Sequence, residues 1–280
     1  MSNKILNINN LSFYYKNSNK DKFNTNEWVN IFRDISIDFF EGQIIGIVGK
    51  SGCGKTTLGK AIVNYHSLSG AYKKNKDYKI DGNITYYDKN NNDFNLMNEE
   101  YRNIKPPPIQ MVFQDPRSSL NMKMKVADQL KESIKLKYNL SASELSDKIY
   151  EISKDFKIEN QLNSVPYNLS GGQRRRFGLA KIISSSPRLI IADEPVASLD
   201  VSIKRDIMNI LFDLKNQNTT IAVISHDIAL LKERADIIYV FDNGNIVEKW
   251  NPEIEPSHTE TRKLLDDSNY VNEFIESIHE

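Results

Sequence analysis

The sequence predicts an α/β layered fold: a core built on a parallel sheet, with a helical subdomain inserted into it. Three observations carry this. The apolar runs 44–48, 189–192, 221–224 and 237–241 are short and nearly continuous instead of alternating, which is the pattern of strands buried on both faces of a parallel sheet. Helical stretches over 56–65, 203–216 and 228–233 alternate with them, and alternating strands and helices define an α/β domain. The middle third, 126–156, has no strand pattern. Its Ile, Leu and Phe recur at helical spacing, and Ser141 followed by Glu144 is a capping-box signature.

Composition narrows the classes. At 280 residues the chain can bury a sizeable core without covalent staples. Lys and Arg total 37, as do Asp and Glu, so no net positive charge is available to grip nucleic acid and none is expected as a partner. The single cysteine, Cys53, excludes a disulfide framework and a cysteine-based zinc site. The start has no apolar run long enough for a signal peptide. No run approaches the roughly 20 residues that cross a bilayer, so a cytoplasmic chain is expected. Residues 17–26 and 88–98, rich in Asn, Lys and Asp, read as loops, and Lys105 to Pro108 reads as a stiff spacer.

The first motif is Gly49-Lys50-Ser51-Gly52-Cys53-Gly54-Lys55-Thr56, with Thr57 beside it. It follows a predicted strand and opens a predicted helix, the context that makes a glycine-rich loop a phosphate cradle. Glycines let backbone N–H groups converge on phosphate oxygens, and the helix adds its N-terminal partial positive charge. Lys55 supplies a full charge to the β- and γ-phosphates, and Thr56 a hydroxyl to Mg²⁺. The second motif, Leu189 to Pro195, is a buried strand ending in Asp193-Glu194. Asp193 is placed to reach Mg²⁺ through water, and Glu194 to polarise an attacking water. The third is Leu169-Ser170-Gly171-Gly172-Gln173 followed by three arginines. Ser170 is a good N-cap, and two glycines leave bare N–H groups at a helix start, a second anion site. Alone, this octamer would read as a capped helix with a solvated arginine face.

In this order, with a late Ser225-His226-Asp227, these motifs resemble the ATPase subunit of an ATP-binding-cassette (ABC) transporter, over roughly residues 6–247. The resemblance implies an ATPase using ATP and Mg²⁺. It implies a phosphate-loop core with an antiparallel β portion at the N-terminus and a helical subdomain at about 116–186, within a domain spanning 1–250, followed by a C-terminal extension over 251–280. It further implies that Gln114 touches Mg²⁺ and the water and signals to the membrane subunit. Glu194 would be the catalytic base, His226 the histidine contacting the γ-phosphate, and Asp200 a residue communicating across a dimer. Tyr15 would stack on adenine, with Tyr14 as the fallback. Ser170, Gly171, Gly172 and Gln173 of one subunit would close over the γ-phosphate held by the other.

The segments Ile109 to Pro116 with Ser118 to Asn121, and Ile191 to Val196 with Leu199 to Ile203, resemble the oligopeptide, dipeptide and nickel importer branch, its F-type subunit in particular. Pro256-Ser257-His258, Thr261, Leu264 and Leu265 resemble a degraded form of that branch's C-terminal motif. The implied partners are a second related ATPase, two membrane permease subunits and an extracellular substrate-binding protein, with this chain peripheral on the cytoplasmic face. The implied cargo is a peptide, with nickel or a metal chelate as the alternative. A soluble ABC protein unlinked to transport is disfavoured by the single cassette and the lack of a long heptad run. The sequence departs from the family at Asn168 and in the order Ala197-Ser198, neither of which removes a catalytic group, and lacks the branch's C-terminal cysteines.

Overall fold

The computed structural model describes residues 3–17, 27–68, 76–97, 104, 107–197, 199 and 201–268. It begins with two long strands, β1 (Lys4–Lys16) and β2 (Trp28–Phe40), then β3 (Ile44–Gly49) and helix α1 (Lys55–Ile62) with a short turn of helix, α2 (Tyr65–Leu68). Strands β4 (Tyr78–Tyr87), β5 (Asp93–Asn95) and β6 (Ile109–Val112) lead to three helices, α3 (Val126–Lys135), α4 (Ala142–Asp155) and α5 (Gly171–Ile183). The chain closes with β7 (Leu189–Asp193), α6 (Val201–Asp213), β8 (Thr220–Ser225), α7 (Ala229–Lys232), β9 (Ile237–Asp242) and β10 (Asn245–Trp250), and a last helix α8 described over 259–268.

The strands form two sheets. The core sheet runs β10-β9-β3-β8-β7-β6, parallel except for the antiparallel edge strand β10. The four continuous apolar runs are four of its strands. The second sheet, β2-β1-β4-β5, is antiparallel. Period-2 alternation splits β3 between two cores. Ile45 and Ile47 pack with α1 and the antiparallel sheet, whereas Ile44 and Val48 face the core shared with α3 to α7. The helical segment is cored on that second side. Val126, Leu130 and Phe177 join Ile190 and Val223 in one apolar cluster.

The helical stretch expected over 126–156 holds two helices, and the second carries the capping box of Ser141 and Glu144. One expectation changes in detail. The polar stretch from Asp88 is not all loop, because Asp93–Asn95 pairs with Thr85–Tyr87 as an edge strand. A short polar strand is how a sheet edge avoids pairing with other chains. Of the proline spacer, Pro108 accepts backbone hydrogen bonds from Arg188 (2.8 Å) and Leu189 (3.1 Å), which sets β6 beside β7.

His66 in α2 packs on the rings of Phe13 and Tyr78 in the antiparallel sheet, 2% exposed, with its Nε2 2.5 Å from the Tyr15 hydroxyl. Burial, with the Lys60 charge adding, pulls its pKa from 6.5 down to about 4. The folded chain therefore keeps the ring neutral. The unfolded chain gains a proton below about pH 6.5, so this contribution is full above that pH and lost as pH falls toward 4. At about 1.4 kcal/mol per unit the loss reaches about 3 kcal/mol. Denaturant titrations between pH 7 and 5 are expected to show stability falling, and His66→Phe is expected to flatten that slope. An unchanged slope in the variant would assign it to other groups.

Candidate nucleotide site

The phosphate loop leaves the sheet at the C-terminal end of β3. Gly49 has φ +151, and a Cβ there would sit 2.2 Å from the Phe241 carbonyl oxygen, so the turn beside β9 requires glycine. Helix α1 starts at Lys55 with Gly54 as N-cap, no side-chain cap and no acidic residue in its first turn. Its first N–H groups are thus left for an anion. Lys55 is buried, and its ammonium donates to the carbonyls of Gly49 (2.6 Å) and Lys50 (2.9 Å) and lies 3.6 Å from Cys53 Sγ. Those carbonyls satisfy a buried cation within its own loop.

Asp193 ends the neighbouring strand β7. Its Oδ1 accepts from Thr56 Oγ1 at 2.9 Å. Burial pushes its carboxyl above the usual aspartate range; the Thr56 hydrogen bond opposes this, and the Glu194 charge adds to it. A hydroxyl and a carboxylate joined in this way are both hard oxygen donors, the kind Mg²⁺ takes. Among the described residues, no group of three His, Cys, Asp or Glu side chains forms a metal cage.

Glu194 bridges strand ends. Its Oε1 accepts from the His226 N–H at 3.0 Å and lies 2.7 Å from His226 Nδ1. Its own N–H donates to the Ile224 carbonyl at 2.9 Å. The backbone there is left-handed, φ 45, a conformation costly for a residue with a Cβ and found where the surroundings enforce it. The Glu194 side chain is 15% exposed and the His226 side chain 62%.

A cleft of about 480 Å³ opens over these groups. It brings together Ser51, Gly52, Gly54, Lys55, Thr56, Thr57, Gln114, Glu194 and His226, all singled out in the sequence. Gly49, Lys50 and Cys53 shape the same loop without lining the cleft, and Asp193 meets it through Thr56. Ser170, Gly171, Gly172 and Gln173 are not in it. Ser170 caps α5, accepting from Gln173 N (3.2 Å), while Gln173 Oε1 accepts from Ser170 N (2.9 Å). Ser170 and Gly171 are exposed, and nothing lies within 4 Å of a Cβ placed on Gly171. Tyr15 is not in it either. Its ring packs edge-on against Phe13 at 5.0 Å, and its hydroxyl meets His66. Tyr14 sits opposite Asn30 and Lys79, half-buried. Asp200 lies outside the described residues.

Three residues escaped the sequence reading. Ile31 and Ala197 line the cleft. Arg175, to which the sequence assigned no role, is 6% exposed and donates to the backbone carbonyls of Gln114 and Phe113, the latter at 3.1 Å. It ties the Gln114 segment to α5. The available signal was spacing: Arg175, Leu179 and Ile182 fall on one helical face.

Fold and cleft together define a phosphate-loop nucleotide hydrolase. The sequence profile of the ABC transporter family matches residues 32–197; the chain belongs to that family and is one of its ATPases. It is 32% identical over 268 residues to the dipeptide transport ATP-binding protein DppF of Lactococcus lactis, covering 94% of this chain and 80% of that one. It is 34% identical over 251 residues to the oligopeptide transport ATP-binding protein OppF of Haemophilus influenzae, covering 87% of this chain and 71% of that one. The fold is similar to a dimeric post-hydrolysis state of the ATP-binding cassette MJ0796 bound to ADP and Pi, with a TM-score of 0.71 and 22% identity, over 89% of this chain and 99% of that chain.

Proposed function

We propose that this chain hydrolyses ATP to energise the import of dipeptides or oligopeptides, as one of two ATPases beneath two permease subunits on the cytoplasmic face of a membrane. The observation that carries the chemistry is the convergence of Lys55, Thr56, Asp193, Glu194 and His226 on one cleft. The names of the relatives carry the cargo, favouring peptides over a nickel chelate.

The residues divide the work. The N–H groups of the phosphate loop and α1 and the ammonium of Lys55 hold the phosphates, Lys55 exchanging loop carbonyls for phosphate oxygens. Thr56, Asp193 and Gln114 would hold Mg²⁺, which would supply positive charge to offset that of the phosphates. Glu194 accepts a proton from the attacking water. Its Oε1 is engaged with His226, which fixes the carboxylate's orientation. His226 is exposed enough to reach the γ-phosphate. Ser170 and the bare N–H groups of α5, which do not line this cleft, would complete the site of a partner ATPase, so that two nucleotides are bound between two chains.

Among the described residues no helix is long and apolar enough to cross a membrane, so permeases must be reached by docking. A mainly apolar groove of about 410 Å³ beside the Gln114 segment, lined in part by Met111, Phe113, Leu136 and Ile182, is where a permease helix would seat. An extracellular binding protein would deliver the peptide.

Reconstitution tests the reading. In vesicles, with a partner ATPase and both permease subunits, the complex is expected to accumulate a labelled peptide when ATP and the binding protein are present. ATP-driven accumulation of a nickel chelate without peptide uptake would reassign the cargo, and no ATP dependence would defeat the reading.

A further inference from the structure

The C-terminal extension reaches the phosphate loop. The Glu260 carboxylate on α8 accepts from the Lys50 ammonium, and its second oxygen lies 3.5 Å from Lys263 Nζ. The Glu260 side chain is only 12% exposed, and that of Lys50 is 60% exposed. Lys50 in turn is a hub of the loop, since its carbonyl accepts from Lys55 Nζ at 2.9 Å and from Cys53 N at 3.4 Å. We propose that Glu260 is a positioning residue for the nucleotide site: it holds Lys50 and, through the hydrogen bond that the Lys50 carbonyl accepts from Cys53 N, the curve of the phosphate loop, so that helix α8 sets the affinity for nucleotide. This rests on reading the phosphate loop as the ATP site.

Three further observations make α8 a fixed support. Glu248 on β10 pins its start, accepting from Ser257 N (2.7 Å), Ser257 Oγ (2.6 Å), His258 N (3.3 Å) and the Thr261 hydroxyl. Thr261 and Leu264 are buried, Leu264 in the same apolar cluster as Trp250 and Val240. At its other end Ser268 Oγ lies 3.5 Å from Asp227 Oδ1, one residue beyond His226. One helix thus touches both the phosphate loop and the histidine loop of the candidate site. A glycine-rich loop loses much conformational freedom on ordering. A tether that orders it beforehand removes part of that cost from binding.

The pair is half solvated, so the effect is bounded. An ion pair this open to solvent changes affinity by about fivefold at most. The test is the Kd of a trinitrophenyl ATP analogue on the purified full chain, well below its Tm. Glu260→Ala and Lys50→Ala are each expected to raise Kd about fivefold, and the double variant no further, because both remove one link. Glu260→Gln, which keeps the shape, serves where Ala impairs folding. In the assembled complex, KM for ATP is expected to rise with Glu260→Ala by a similar factor while kcat holds; a purely structural role would lower Tm and leave KM alone. Single variants binding within 1.5-fold of wild type, or effects that multiply in the double variant, would overturn the proposal. Lys55→Ala separates the two readings. If it weakens binding and Glu260→Ala does not, only the role of Glu260 fails; if Lys55→Ala binds normally, the assignment of the site fails and the proposal with it.

Discussion

Glu194→Gln is expected to leave ATP binding intact and to cut turnover by about 10²–10⁴-fold, the range for losing one general base. The amide keeps the shape, and its oxygen still accepts from the His226 N–H that Glu194 Oε1 holds at 3.0 Å. The tie between the ends of β7 and β8 therefore survives. What is lost is the basicity that takes a proton from water. Asp193, with its carboxyl raised above the ordinary range by burial, is not a substitute base, because its Oδ1 already accepts from Thr56. The measurement is ATP hydrolysis by the assembled complex alongside nucleotide binding. Hydrolysis at the wild-type rate would remove Glu194 from the role of base.

Ser170→Arg is expected to impair the partner's ATP site while this chain's own phosphate loop still binds nucleotide. The helix start at Ser170 is exposed and lies outside this chain's cleft, so a bulky cation there obstructs whatever another chain brings. Losing the Ser170–Gln173 cap also costs about 1 kcal/mol locally. Ser170→Ala loses the cap without adding bulk and separates the two effects. Photo-crosslinking of labelled ATP, read on each chain, is expected to show labelling of the partner falling roughly tenfold, about 1.4 kcal/mol of closure, only in the arginine variant. Loss confined to this chain would mean that Ser170 acts in cis and would defeat the two-chain site.

The parallel sheet was legible because burial on both faces writes itself into the sequence. In β3, β7, β8 and β9 nearly every position is buried, so the runs are apolar end to end. The antiparallel sheet was reached only through family resemblance. Register shifts in β1, between Ile8 and Leu11 and again before Tyr14, break the period-2 pattern that would have marked it. Strand β5 was hidden by composition, since Asp93 and Asn95 are residue types depleted in strands. The phosphate loop and the Asp193-Glu194 pair were legible because their chemistry is local, a few residues at fixed spacing. The Lys50–Glu260 pair was not, because 210 residues separate its partners and only the folded chain brings them together. Arg175 lay between. Its helical spacing pointed inward, but nothing in the sequence named the carbonyls it would find.

The left-handed backbone at Glu194 has a consequence for any attempt to improve this protein. That conformation costs a residue with a Cβ of order 1–3 kcal/mol, and glycine adopts it freely. The backbone conformation therefore favours a residue without a side chain at the position where the proposed chemistry needs a carboxylate, and the hydrogen bond from the His226 N–H offsets part of that preference. Selection by melting temperature and selection by turnover pull position 194 in opposite directions. A screen that ranked variants of this chain by heat resistance alone would drift toward ATPases that bind nucleotide and no longer consume it.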